Sequence, residues 1–320
     1  MSRGMPPARP GSFAIETLRG VGQVALQEKL ATGTLITVAL FSAGWKPGAF
    51  GLLGAATATA TASALGAERG RIRDGLEGYC GTLIGIASVT YLGLHLSSFL
   101  VAIAGAIACT IITASMSTTL GTWGLPALTG PFCVVGSVIA IAAPGFDRVW
   151  HGGPPASLPS AASGSTAMTF GHLVESLFTN VSQVFLLDKW WAGLIMLVGL
   201  ALASRGVLLA ACAGSLVGTL TAWALGAPAA LVTGGVYGYN AVLVMIALAA
   251  TMLVPTRIAI AYAVAAAVCS TVLTAALANA FSPVGGHTLT WPFNLTTWAF
   301  LAAVPAFTAI TRSRPKEESA

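Results

Sequence analysis

Two glutamines and two threonines recur at matched places in a chain that has almost no charge. Gln23, in Gly22-Gln23-Val24-Ala25-Leu26, returns as Gln183 in Ser182-Gln183-Val184-Phe185-Leu186. Thr129, in Leu128-Thr129-Gly130-Pro131-Phe132, returns as Thr290 in Leu289-Thr290-Trp291-Pro292-Phe293. Between them, Gly78-Tyr79-Cys80-Gly81-Thr82-Leu83 returns as Gly238-Tyr239-Asn240-Ala241-Val242-Leu243. The residue numbers differ by 160, 161 and 160 in turn, so one register runs through a whole half. The chemistry these side chains offer is hydrogen bonding by amide and hydroxyl. The prolines add to it. A proline inside a helix has no N–H for the carbonyl four residues back. Pro131 is expected to free the carbonyl of Ala127, Pro126 that of Thr122, and Pro292 that of Thr288. With the two threonine hydroxyls, these make two short rows of oxygen acceptors. In hydrocarbon such groups are costly unless they face a cavity or a partner.

Other chemistries find no support. There is no HExxH, no GxSxG and no paired carboxylate within an apolar segment, so no catalytic residue is assigned. His95, His151, His172 and His287 show no ligand spacing, and no metal or cofactor is expected. The five cysteines lie in apolar segments without a CxxC, and read as small buried residues. The net charge of +5 sits in loops and tails, as topology signals do, and implies no nucleic acid.

The chain that must position these groups is 56% hydrophobic and 8% charged, against about 25% charged in a soluble domain. It reads as an all-α membrane protein. Tails cover 1–12 and 312–320, a first repeat 13–145, a Pro-, Gly- and Ser-rich linker 146–169, and a second repeat 170–311. Each repeat reads as one amphipathic piece, Ile15–Glu28 or His172–Asp188, followed by five apolar spans. The spans lie near 33–45, 48–66, 80–94, 97–116 and 129–143, then 193–203, 206–226, 239–254, 257–280 and 294–311. If the amphipathic pieces dip in and return as half-membrane helices, each half crosses five times. An odd number inverts the second half relative to the first. Charge agrees with ten crossings. One side receives Arg3, Arg9, Arg19, Lys29, Arg69, Arg71, Arg73, Arg205, Arg257, Arg312, Arg314 and Lys316; the other receives only Lys46, Arg148 and Lys189. Both termini are therefore expected in the cytoplasm, with the chain in the cell membrane. Glu16 and Glu175 are expected to complement the dipoles at the N-termini of the half-helices.

Leu125-Pro126-x-x-Thr129-x-Pro131-Phe132 resembles the LPxxTxPF signature of the urea transporter family, and the resemblance runs over roughly residues 13–311. It implies a homotrimer in which each protomer holds its own central pore and urea passes down its gradient. It also implies roles. Gln23 and Gln183 match the positions that bind urea at the outer ends of the filter, and Thr129 and Thr290 those at the constriction. Tyr79, Leu83, Tyr239 and Leu243 match the apolar plates of a flat slot, with Leu26 and Leu186 at nearby plate positions. Four positions depart from the pattern. Gly286-His287 replaces Leu-Pro, tyrosines 79 and 239 stand where phenylalanine is usual, Cys80 replaces asparagine, and Leu26 sits where an aromatic is common. The alternatives are a channel for ammonia, water or short amides and, from another class, an ion-coupled transporter. The second wants ionisable residues in mid-membrane, and the span centres hold no Asp, Glu, Lys or Arg.

Overall fold

Helices are what a chain this apolar has to make, because without water every backbone N–H and C=O must be paired within the structure. The computed structural model describes residues 10–313 except 155 and 161, with backbone alone for 10 and 11. Residues 1–9 and 314–320, with Arg3, Arg9, Arg314 and Lys316 of the charge pattern, lie outside the described residues. Among the described residues there is no strand beyond a single bridge, Leu253 to Arg312.

The helices of the first half are α1 (Pro10–Gln23), α2 (Leu30–Ala43), α3 (Trp45–Ala64), α4 (Arg69–Arg73), α5 (Tyr79–Leu92), α6 (Leu96–Gly121) and α7 (Gly130–Ala142). Those of the second are α8 (Phe170–Gln183), α9 (Trp190–Ala203), α10 (Arg205–Ala224), α11 (Ala229–Thr233), α12 (Tyr239–Met245), α13 (Arg257–Phe281) and α14 (Trp291–Ala303). Corresponding elements begin 160 residues apart up to α12 and 161 apart from α13 onward. The extra residue falls between Met252, where the π-helical continuation of α12 ends, and Thr256, the N-cap of α13.

Several expected boundaries shift, each for a local reason. The amphipathic pieces are shorter than 15–28 and 172–188 because the chain turns after each glutamine. Leu26 and Leu186 take φ of 60° and 59°, and their N–H groups bond back to the Gln23 and Gln183 carbonyls at 2.9 Å. The last span ends at Ala303, not 311, where Pro305 sits in a short 3₁₀ turn that ends the helix. Glu16 and Glu175 lie mid-helix, outside the first turns of α1 and α8, so they cap nothing. Thr169 and His172 form the capping box that starts α8. The five-residue helices α4 and α11 carry no periodic signal and were not expected from the sequence.

Among the described residues, three helices, Leu96–Gly121, Arg205–Ala224 and Arg257–Val284, are long and apolar enough to cross a membrane by length and composition. Five others are apolar but shorter. A helix of 14 residues such as α2 rises only about 21 Å, against a hydrocarbon core of about 30 Å. Turns and loops must therefore reach into the membrane between packed helices.

Equivalent helices α2 and α9 lie against each other and run in opposite directions. Thr32 Oγ1, at the start of α2, donates to the Gly199 carbonyl near the end of α9 at 2.9 Å, and Trp191 Nε1, at the start of α9, donates to Ser42 O at 3.4 Å. Small residues allow close approach at matched places. A Cβ on Gly33 would stand 1.9 Å from the Leu18 carbonyl oxygen, and one on Gly193 would stand 1.9 Å from that of Phe178. Gly33→Ala and Gly193→Ala should each lower stability by about 1–3 kcal/mol through overpacking. Gly121→Ala, where a Cβ meets nothing within 4 Å, should change little. Thermal unfolding of the purified variants in detergent checks this.

Candidate functional site

Two helix N-termini meet at the centre of the site. Thr129 is the N-cap of α7 and Thr290 the N-cap of α14. An N-cap threonine ordinarily turns its hydroxyl back onto the first turn of its own helix. Neither does so here. Instead the two hydroxyl oxygens lie 2.7 Å apart, and both residues are buried. The prolines contribute differently from the sequence expectation. Pro131 and Pro292 occupy the first turn of their helices, where a missing N–H costs nothing, so they start the helices and do not interrupt them. Their supposed orphan carbonyls are paired. Ala127 O accepts from Gly130 N at 3.1 Å, and Thr288 O accepts from Trp291 N at 3.3 Å. Pro126 lies beyond the end of α6, in the loop before α7, and its own carbonyl accepts from Trp298 Nε1.

The residue before each threonine is strained. Leu128 and Leu289 have φ of 49° and 47°, a conformation that costs a leucine about 1–2 kcal/mol. A tyrosine holds each in place. Tyr79 donates its hydroxyl to the Leu128 carbonyl at 2.6 Å, and Tyr239 donates to the Leu289 carbonyl. Both rings are buried.

The glutamines are held in the same symmetric fashion by the two short helices. Gln23 Nε2 donates to Asp74 O, at the end of α4, at 2.8 Å; Gln183 Nε2 donates to Gly234 O, at the end of α11, at 3.2 Å. With its NH₂ anchored, each amide presents its oxygen as the remaining acceptor.

A cavity of about 400 Å³ brings Gln23, Leu26, Tyr79 and Thr129 together. Arg71 and Thr251 also line it, and Arg71 is paired with Glu77 at 2.7 Å. Leu83 and Leu243 are fully buried and do not line this cavity. Leu243 borders a void of only about 10 Å³ with Val181, Val184 and Phe185. On the second half, Tyr239 and Thr290 meet through Leu289, while Gln183 and Leu186 share the turn that ends α8. The equivalent place in the second half differs in its chemistry. His287 stands where the first half has Pro126, and Tyr91 where the second has Thr251. Their rings stack at 3.8 Å and 9°. His287 is exposed in the connection between α13 and α14, and partial desolvation lowers its imidazole below its ordinary value.

Two residues at this centre were not singled out from the sequence. Asn294 Nδ2 lies 3.1 Å from Thr129 Oγ1 and 2.8 Å from Thr290 O; Cys133 Sγ lies 3.2 Å from Thr290 Oγ1. The reading of the cysteines as small buried residues holds for Cys80, Cys109 and Cys133, the last with a polar contact as well, and fails at Cys212 and Cys269, which are exposed. A signal existed. Cys133 and Asn294 are themselves 161 apart, each four residues after its threonine and so on the same helical face.

A family profile described as "Urea transporter" matches residues 15–305, nearly the whole chain. The chain belongs to the urea transporter family. It is similar to "Urea transporter 1" of Ovis aries, at 30% identity over 297 residues that cover 90% of this chain and 76% of that protein. It is similar in the same measure to "Urea transporter 1" of Capra hircus, and to that of Mus musculus at 28% identity over 89% of this chain and 75% of the relative. This is a family of transporters and not of enzymes. Within it, the hydroxyls of Tyr79 and Tyr239 are bound to backbone. Tyr79→Phe and Tyr239→Phe should fold and lose about 1 kcal/mol each, the net value of one hydrogen bond. Thermal unfolding of each variant measures the loss.

Proposed function

We propose that this chain is a passive urea channel of the cell membrane. The observation that carries this is the buried Thr129–Thr290 hydroxyl pair at the junction of two helix N-termini, beside a cavity edged by Gln23, Leu26 and Tyr79. Urea is planar, with four N–H donors and one strong acceptor. Hydroxyl and amide oxygens along one edge of a path replace the water its N–H groups lose, and the apolar side chains of Leu26 and Leu186 and the Tyr79 and Tyr239 rings suit its flat faces. Each helix N-terminus carries about half a positive charge. Two of them pointing at one place repel cations and favour a neutral guest with an electronegative oxygen. An ion cannot shed its shell there without full compensation, and no coupling ion is needed.

The larger arrangement belongs to the same proposal. Two halves, 13–145 and 170–311, joined by 146–169, form an inverted repeat about a pore in each protomer. The antiparallel run of α2 against α9 supports the inversion. Lys29, whose Nζ reaches Ala203 O at 2.6 Å, supports a shared side for the basic residues near positions 29 and 205, and so cytoplasmic termini. In this reading Leu83 and Leu243 back the slot from behind. Assembly as a homotrimer follows from the family resemblance, and the mass of the detergent-solubilised complex tests it.

Stopped-flow uptake by proteoliposomes tests the function. Urea should cross far faster than through empty vesicles, without a proton or sodium gradient. Thr129→Val and Thr290→Val should each lower urea flux about tenfold or more, the worth of one lost hydrogen bond at the barrier, while leaving the fold intact. Gln23→Leu and Gln183→Leu should raise the half-saturating urea concentration on opposite faces. Urea flux no faster than through empty vesicles would refute the channel assignment, and unchanged flux in both threonine variants would remove these residues from the pore.

A further inference from the structure

We propose that Asn294 is a positioning residue for the threonine pair, the anchor of a hydrogen-bond chain that keeps hydroxyl protons away from the passing solute. The proposal rests on the channel reading above and adds a part to it.

The chain is defined by buried atoms. Asn294 Nδ2 lies 2.8 Å from the Thr290 carbonyl, 3.1 Å from Thr129 Oγ1 and 3.3 Å from Cys133 Sγ, while its Oδ1 is 3.4 Å from Thr129 Oγ1. Thr129 Oγ1 lies 2.7 Å from Thr290 Oγ1, which in turn lies 3.2 Å from Cys133 Sγ. All four side chains are buried. The shorter amide contact to Thr129 is the one through nitrogen, so the amide donates. Thr129 then passes its proton to Thr290, and Thr290 passes its own toward the thiol. Each hydroxyl accepts once and donates once within the chain. What each has left is a lone pair, so a guest meets acceptors only.

This is the polarity a guest rich in N–H requires. A hydroxyl with no acceptor of its own would swing its proton toward the path and set donor against donor. A thiol is a weak donor and a weak acceptor, so the Cys133 end cannot fix the direction. The amide can, because it has two N–H groups and is held at the Thr290 carbonyl. The two halves have thus divided one task unequally, with the strong group on α14 and the weak one at the equivalent place on α7.

The test is a mutant cycle on urea flux in proteoliposomes, with Asn294→Leu, Thr129→Val and the double variant. Leucine nearly matches asparagine in shape and has no hydrogen bond to give. Asn294→Leu should lower urea flux about tenfold at unchanged yield of folded protein. The double variant should be no slower than the worse single within about twofold, because both changes act on the same hydroxyl. Losses that multiply, or unchanged flux in Asn294→Leu, would overturn the proposal while leaving the channel assignment standing. Only urea flux in the parent no faster than through empty vesicles would refute that assignment. If Asn294→Leu does not fold, the exchange Cys133→Asn with Asn294→Cys replaces it. Moving the amide to the equivalent helix should restore flux to within about twofold of the parent, against a tenfold loss for Asn294→Cys alone. No recovery would overturn the proposal.

Discussion

Everything in this molecule is arranged around two helices that begin inside it, nose to nose. A helix N-terminus carries unpaired N–H groups and a partial positive charge. Placing two together is unfavourable unless something electronegative lies between them. The Thr129 and Thr290 hydroxyls supply part of that, at 2.7 Å from each other. Both threonines give up their ordinary capping bond to do so. The strained leucines before them, the tyrosines that hold those leucines, and the prolines that start the helices all serve to bring the chain into this junction at the right angle.

The glutamine shell follows the same economy. A side-chain amide in a membrane would rotate freely between partners if left alone. Here a short helix in each half, ending at Asp74 or Gly234, binds the NH₂ group and fixes the oxygen. The polar groups of the proposed path are therefore pieces with one end tied down. The one charged side chain lining the cavity, Arg71, is itself paired with Glu77.

The sequence disclosed some of this and concealed the rest for identifiable reasons. Thr129 and Thr290 stood out because each precedes Pro-Phe at one repeat distance, and the structure brings them into contact. The role of the prolines was misread because a helix breaker and a helix starter look alike inside an apolar run; the preceding threonine was the clue to an N-cap. The turns at Leu26 and Leu186 were invisible, since nothing local marks a leucine as left-handed. Helices α4 and α11 span barely more than one turn and have no period to find. Asn294 and Cys133 escaped because the two copies carry different residues there, and a search for likeness passes over such positions.

The stacked His287 and Tyr91 rings, where the cavity beside Gln23 has Pro126 and Thr251 in the equivalent places, carry a thermodynamic corollary for the proposed channel. A pore without an energy source obeys detailed balance, so unequal ends cannot pump. With the same solute at both faces, net traffic is zero however different the doorways are. The inequality surfaces elsewhere: saturation sets in at a different concentration on each face.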